Sequence, residues 1–159
     1  MAPEWFSLVS QKLFLAEQLI DSSEHEDQPH SLREAQLQGA IELMARARQT
    51  LLCLVAQLYQ QRQATPENLQ ELLERLEPEV PEYNELTALS QALDGWWLQL
   101  DALLQHQQRP PQKKKLVSDE NIIAISVQTG PNRAKPALLA ITHAMKSYLQ
   151  ALETRHAEW

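Results

Sequence analysis

Residues 31–62, SLREAQLQGAIELMARARQTLLCLVAQLYQQR, decide the fold that we predict from this sequence. Leucine, isoleucine, methionine and valine recur there every three or four residues, which is the spacing of one face of an α-helix. Ser31 and Glu34 have the spacing of a capping box, in which each side chain satisfies a free backbone amide at the start of a helix. The stretch therefore predicts one helix of about 30 residues, which would be ~45 Å long.

Proline residues mark the limits of the other predicted helices. The chain has nine prolines and only three glycines, and proline cannot continue the interior of a helix. We predict helices at about Pro3–Asp21, at a short stretch after Pro66, at about Glu82–His106 and from about Pro136 onward. The three glycines lie far apart, so the sequence has no glycine-rich loop of the kind that binds phosphates or dinucleotides.

This organisation predicts an all-α protein, an antiparallel bundle of four long helices and one short helix in a single domain over residues 1–159. Residues 109–135 interrupt the helical pattern with a Pro-Pro pair and three consecutive lysines. Ile123, Ile125 and Val127 then alternate with small or polar residues, which is the pattern of a strand. We predict a basic loop or a small β-hairpin there, before the last helix.

The composition restricts the class of protein. The net charge of −7 argues against a dedicated nucleic-acid-binding protein, and a single cysteine cannot form an internal disulfide. The first residues, MAPEWFSLVSQKLFLAEQ, carry no cationic leader, and polar residues interrupt every apolar run. We therefore expect a soluble, cytoplasmic protein with neither a signal peptide nor a membrane span.

A basic patch is predicted around the loop, where residues 105–135 carry six cations against two carboxylates. That segment has a charge of +4, so the rest of the chain carries −11. Such asymmetry fits contact with nucleic acid, with an acidic protein or with the chain's own acidic helices. No aromatic residue lies among these cations to stack on bases, which argues against single-stranded nucleic acid as the partner. The six cations are Arg109, Lys113, Lys114, Lys115, Arg133 and Lys135.

Two further cations lie on apolar helix faces. Helical spacing places Lys12 between Leu8 and Leu15 on the predicted buried face of the first helix, and Arg48 on the corresponding face of the second helix. A buried cation needs a partner, because the loss of its hydration is costly. Either the two side chains extend their charged ends to water or to a carboxylate, or they form a pocket for a small anionic ligand.

The sequence lacks a catalytic constellation, and we predict neither an enzyme nor a cofactor nor a metal site. Glu153 and His156 have the Glu-x-x-His spacing of di-iron bundles, but that chemistry requires two such motifs. Residues 24–30 combine histidines and carboxylates, which we interpret as a solvated acidic loop. Cys53 has no histidine near it in the sequence that would activate its thiol.

Phe14 lies on the side of the first helix opposite its predicted apolar face, where a second contact surface would explain it. Ile123, Ile125 and Val127 could likewise pair with a second copy, because an exposed strand edge favours pairing. We therefore predict a non-enzymatic helical interaction module that forms a homodimer or binds a protein partner. The alternative is a bundle that binds a small anionic ligand near Lys12 and Arg48.

Three stretches of the chain resemble an uncharacterised family of small helical proteins from pseudomonads and related gammaproteobacteria. They are Gln11-Lys-Leu-Phe-Leu-Ala16, the run Leu51-Leu-Cys-Leu-Val-Ala-Gln-Leu-Tyr59, and a last helix that ends in Glu158-Trp159. The resemblance implies a bacterial cytoplasmic protein. The family has no assigned activity, so the resemblance assigns no functional residues.

Overall fold

The computed structural model describes residues 2–111 and 130–157, and within these ranges it contains six α-helices and no strand. The all-helical prediction is confirmed for this part of the chain, and none of these helices combines the length and apolarity needed to cross a membrane. The predicted hairpin lies outside the described residues. The helices are α1 (Pro3–Ser23), α2 (His30–Leu58), α3 (Leu69–Leu73), α4 (Pro81–Gln91), α5 (Trp96–Gln108) and α6 (Lys135–His156).

The second half of α2 lies at the centre of the hydrophobic core. Every residue from Thr50 to Ala56 is buried, so this part of the helix has no solvent-facing side. A helix that is apolar on all sides must be covered on all sides, and α1, α3, α5 and α6 all contact α2. The unbroken apolar run that starts at Leu51 is the sequence feature that requires this enclosure.

Helix α6 runs antiparallel to α1 along the outside of the bundle. Lys135, at the start of α6, pairs with Asp21 near the end of α1 at 2.8 Å, and Lys146 pairs with Glu17 at 2.7 Å. Residue numbers therefore increase along α6 in the direction in which they decrease along α1. This alignment brings the last turns of α6 beside the first half of α1.

The buried face of α1 is narrower than the predicted one. Val9, Leu13, Ala16 and Ile20, which share the predicted apolar face with Leu8 and Leu15, are buried together with Phe6 and Ser23. Leu8 and Leu15 are instead 37% and 39% exposed, and Lys12 is half-buried. Because Lys12 lies at the edge of the buried face, the core avoids the cost of burying its ammonium group.

The predicted helix Glu82–His106 is two helices, so the prediction of four long helices and one short helix is not confirmed. The chain turns between α4 and α5, where the backbone N–H of Gly95 donates to the carbonyl of Ala92 at 3.0 Å. A Cβ atom at Gly95 would lie only 3.0 Å from the Cβ of Ala92 and 3.1 Å from its carbonyl oxygen. The turn is therefore tight enough to favour glycine.

The capping box predicted at the start of α2 is not formed. The helix begins at His30, directly after Pro29, and no side chain caps it. Glu34 instead accepts hydrogen bonds from Gln38 at 2.9 Å and from Arg133 at 2.8 Å. Its carboxylate thus joins α2 to the segment before α6, a contact that local sequence spacing does not reveal.

The orientation of α1 gives a prediction for two leucines that are two residues apart. Leu13→Ala removes a fully buried side chain and should lower the free energy of unfolding by about 3 kcal/mol. Leu15→Ala, at a side chain that is 39% exposed, should lower it by less than about 1 kcal/mol. Urea unfolding followed by circular dichroism measures both values. Equal losses, or a larger loss at Leu15, would contradict this orientation of the helix.

Candidate functional site

Phe14 is the predicted interface residue that falls within the described part of the chain. Its side chain is 56% exposed, although the phenyl ring is a large apolar group that water solvates poorly. It lies beside an open cavity of about 420 Å³ between α1 and α6. We call this surface the Phe14 face, and its lining residues are Phe6, Ser7, Ser10, Gln11, Phe14, Leu149 and Glu153.

The floor and the rim of this cavity differ in polarity. Phe6 and Leu149 are 7% and 5% exposed and form an apolar floor. Ser7 and Ser10 are exposed and provide hydroxyl groups at the rim. Glu153 is the charged residue among the described residues that line the cavity. An apolar floor with a polar rim has the arrangement of a protein–protein contact site.

Arg48, one of the two cations predicted to bind an anion, already has a carboxylate partner. Its guanidinium pairs with Asp101 of α5 at 2.6 Å and donates to the carbonyl of Trp97 at 3.1 Å. The same group lies 4.8 Å from the centre of the Trp97 ring, within the range of a cation–π contact. The charge of Arg48 is thus compensated inside the protein, as one of the two interpretations of the sequence anticipated.

Arg48 also lines a groove of about 630 Å³ formed by α2, α3 and α5. Lys12 is not among the residues that line this groove, so the structure does not bring the two cations together there. The lining includes a second cation, Arg46, and the carboxylates of Glu42, Glu67 and Asp101. Three carboxylates against two cations make the groove a weak attractor for an anion.

Part of the predicted basic patch is used within the protein. Arg133 pairs with Glu34 at 2.8 Å and Lys135 pairs with Asp21 at 2.8 Å. Arg133 thus attaches the segment before α6 to α2, and Lys135 attaches the start of α6 to α1, which is the internal alternative that the charge asymmetry allowed. Arg109 is exposed at the end of α5. The remaining patch residues, Lys113, Lys114 and Lys115, and the interface candidates Ile123, Ile125 and Val127 lie outside the described residues.

A buried cluster around Glu82 was not predicted from the sequence. The Glu82 side chain is fully buried at the start of α4, and its carboxylate accepts a hydrogen bond from the hydroxyl of Tyr59 at 2.5 Å. The guanidinium of Arg155 donates to the same carboxylate, and the His156 ring lies 3.1 Å from it. Glu82 thus connects the end of α2 and the last turn of α6 to α4.

Glu85, one turn further along α4, extends the cluster. Arg155 pairs with Glu85 at 2.6 Å, and the hydroxyl of Tyr148 donates to Glu85 at 3.1 Å. Burial, followed by the negative charge of Glu85, raises the pKa of Tyr148, so its hydroxyl remains a proton donor. The hydrogen bond from Arg155 to Glu85 in turn raises the pKa of the guanidinium.

The protonation of Glu82 follows from its hydrogen bonds. Burial by itself would raise the pKa of this carboxyl group, because it disfavours the charged form. The hydrogen bonds with Tyr59, His156 and Arg155 outweigh burial and leave the pKa below its ordinary value. Glu82 is therefore a carboxylate at neutral pH, fully occupied by donors from its own chain.

The Glu-x-x-His residues of α6 do not form a joint site. His156 lies against Glu82, whereas Glu153 is exposed and lines the cavity of the Phe14 face. The residues in ranges 2–111 and 130–157 include no group of three or more histidines, cysteines or carboxylates arranged to hold a metal ion. The cluster around Glu82 accordingly acts as an internal polar connection between helices.

Sequence reasoning missed this cluster because its members are far apart in the chain. Tyr59 and Glu82 are separated by 23 positions, and Arg155 and Glu82 by 73. At the level of the sequence, a glutamate directly after Pro81 is the ordinary acidic residue of a helix's first turn. No local signal distinguishes Glu82 from Glu79, which is exposed.

The described part of the chain is thus all-helical, and an exposed aromatic ring lies beside an open cavity on its surface. The chain belongs to a family of unknown function (DUF6586), whose family model matches residues 1–159. The resemblance to an uncharacterised family is thereby confirmed. No curated protein and no solved structure is similar enough to this chain to match it.

Glu82→Gln should lower the free energy of unfolding at pH 7 by about 2 kcal/mol, because Arg155 loses a charged hydrogen-bond partner. Glu79→Gln, at an exposed glutamate three residues earlier, is the matched control and should change it by less than about 0.5 kcal/mol. Urea unfolding of both variants measures the difference. A Glu82→Gln variant as stable as the control would show that the cluster does not stabilise the fold.

The same variant tests the pH dependence of stability. A carboxyl group whose pKa is lower in the folded state stabilises the fold above its unfolded pKa and loses this contribution as the pH falls. The contribution of Glu82 should therefore decline as the pH falls below its ordinary pKa of 4.5. Stability measured between pH 7 and pH 3 should fall more steeply for the wild type than for Glu82→Gln. Parallel curves would contradict the lowered pKa.

Proposed function

We propose that this protein is a non-enzymatic helical interaction module that self-associates through the Phe14 face. The observation that carries the proposal is the exposure of Phe14, 56%, beside an open cavity with an apolar floor. A buried phenylalanine removes roughly 150–250 Å² of surface from water, at about 25 cal/mol per Å². Covering this side chain would therefore yield free energy that the isolated chain does not obtain.

The polar groups of the described residues support an interaction role over a chemical one. Arg48, Glu82 and Arg155 are partly or fully buried, and each has partners within the chain. Their contacts join helices, whereas the side chain of Phe14 stays 56% exposed. We propose that the protein is bacterial, as the family resemblance implies, and cytoplasmic, because a single cysteine and an acidic composition suit a reducing compartment.

The strand pattern at Ile123, Ile125 and Val127 remains a predicted second part of the interface. Its alternation of apolar and polar residues favours pairing with a strand, either on the same bundle or on a second copy. The function proposed from Phe14 does not depend on this segment.

Phe14→Asp should abolish self-association, because it places a charge where an apolar contact is expected. Leu93→Asp is the matched control, since Leu93 is 87% exposed in the turn between α4 and α5, away from the Phe14 face. Sedimentation equilibrium over a range of protein concentrations gives the mass of each variant. The expected result is a dimer for the wild type and Leu93→Asp and a monomer for Phe14→Asp. A wild-type protein that is monomeric throughout would contradict the proposed function.

The alternative function, binding of a small anion near Lys12 and Arg48, is supported by the groove that Arg48 lines. If it is correct, inorganic phosphate at millimolar concentration should raise the melting temperature, and Arg48→Met should remove that increase. The ion pair with Asp101 neutralises the charge of Arg48 and should weaken the stabilisation by phosphate. A melting temperature that phosphate leaves unchanged would dismiss this alternative.

A further inference from the structure

We propose that Glu82 and Glu85 form a binding site for a guanidinium group, which Arg155 of the same chain occupies and which an arginine side chain of a partner protein can take in its place. The two carboxylates lie one turn apart on α4, and both accept hydrogen bonds from the Arg155 guanidinium. Arg155 is thus the internal ligand of this site. The site shares no residue with the lining of the Phe14 face, so binding there does not depend on self-association.

The contact has the geometry of guanidinium recognition. Nη2 of Arg155 donates to Glu85 at 2.6 Å, and Nη1 donates both to Glu82 and, at 3.2 Å, to Glu85. Carboxylate oxygens therefore engage both terminal nitrogens of the planar group, an arrangement that the point charge of an ammonium group does not reproduce. The Glu82 side chain is fully buried, so its charge requires a cationic partner.

Two tyrosines orient the carboxylates independently of Arg155. The hydroxyl of Tyr59 donates to Glu82, and the hydroxyl of Tyr148 donates to Glu85 at 3.1 Å. Each carboxylate thus keeps a hydrogen bond that holds its direction when the guanidinium leaves. A site whose groups are already oriented binds a ligand without the cost of ordering them.

The turn that carries Arg155 is attached to the bundle by polar contacts. Leu152 is the last buried apolar residue of α6, and Glu153 and Thr154 after it are exposed. The other contact of this turn with Glu82 comes from the His156 ring. A buried ion pair adds little net stability, because the loss of hydration offsets most of the attraction. Opening returns both charges to water together, so the last turn can open at small cost while the preceding turns stay packed.

An open last turn presents two carboxylates at the spacing of a guanidinium group. An arginine side chain of a partner therefore fits the site better than a lysine side chain does. The net charge of −7 on the chain also attracts a cationic partner. Arg155 competes with such a partner from within the same molecule, at a high effective concentration. The contact of Arg155 with the two glutamates is thus autoinhibitory.

Removal of the internal ligand tests the site. Arg155→Ala leaves Glu82 and Glu85 without their guanidinium group and should lower the melting temperature. Methylguanidinium at about 50 mM should then raise the melting temperature of this variant by about 2–4 °C, for a Kd on the order of 10 mM. The wild type should respond less, because Arg155 occupies its site. Should Arg155→Ala not fold by itself, recovery of its helical circular dichroism in methylguanidinium provides the same measurement.

Three controls isolate guanidinium recognition. Methylammonium at the same concentration supplies the same charge without the planar fork and should have little effect. Arg75→Ala, which removes an exposed arginine, should not respond to methylguanidinium. The double variant Arg155→Ala, Glu82→Gln lacks the buried carboxylate and should not respond either. An Arg155→Ala variant that methylguanidinium does not stabilise, or that methylammonium stabilises equally, would overturn the site.

The exchange of Arg155 for a partner's arginine is tested on the wild type. A blocked tripeptide with a central arginine, at millimolar concentration, should displace Arg155 and accelerate hydrogen exchange of the backbone amides of residues 153–157 by about twofold or more. The corresponding lysine tripeptide should not. Acceleration by methylguanidinium alone would assign the site to a small guanidinium compound and overturn the protein partner. Exchange that neither compound changes would show that Arg155 stays bound, which would overturn the autoinhibitory role.

Discussion

The enclosure of α2 is the constraint on which the rest of the structure depends. From Thr50 to Ala56 no residue of this helix can face water, so neighbouring helices must cover every side of it. Helices α1, α3, α5 and α6 provide that cover. Each of them turns one face inward, and the Phe14 face is the surface that remains on the outside where α1 and α6 meet.

The cluster around Glu82 fixes the position of α6 within this arrangement. A fully buried carboxylate is costly unless donors surround it, and Tyr59, Arg155 and His156 meet that requirement from two other helices. The cluster thereby anchors the last turn of α6. Leu149 and Glu153 lie within the two turns before this anchor and line the cavity beside Phe14. The polar interior of the protein thus positions its apolar contact surface.

Prediction from the sequence succeeded where the signal was local and continuous. The existence of α1, α2 and α6 follows from apolar spacing and from the prolines that mark helix limits. The break between α4 and α5 was missed because a single glycine in an otherwise helical pattern has no unique interpretation. Phe14 was recognised because it conflicts with the polar residues around it, whereas its cavity requires Leu149 from a helix 135 positions away.

The sequence by itself determined that the described chain is helical, because helical periodicity is a local property that repeats within a few turns. Tertiary structure decided that the second half of α2 is covered on all sides, whereas its spacing indicated one apolar face. Tertiary structure also placed Leu8, Lys12 and Leu15 at the edge of the buried face of α1, which avoids the cost of burying the Lys12 ammonium group. Tertiary structure also decided the partners of Glu82, because groups 23 and 73 positions away meet it only after the helices have packed.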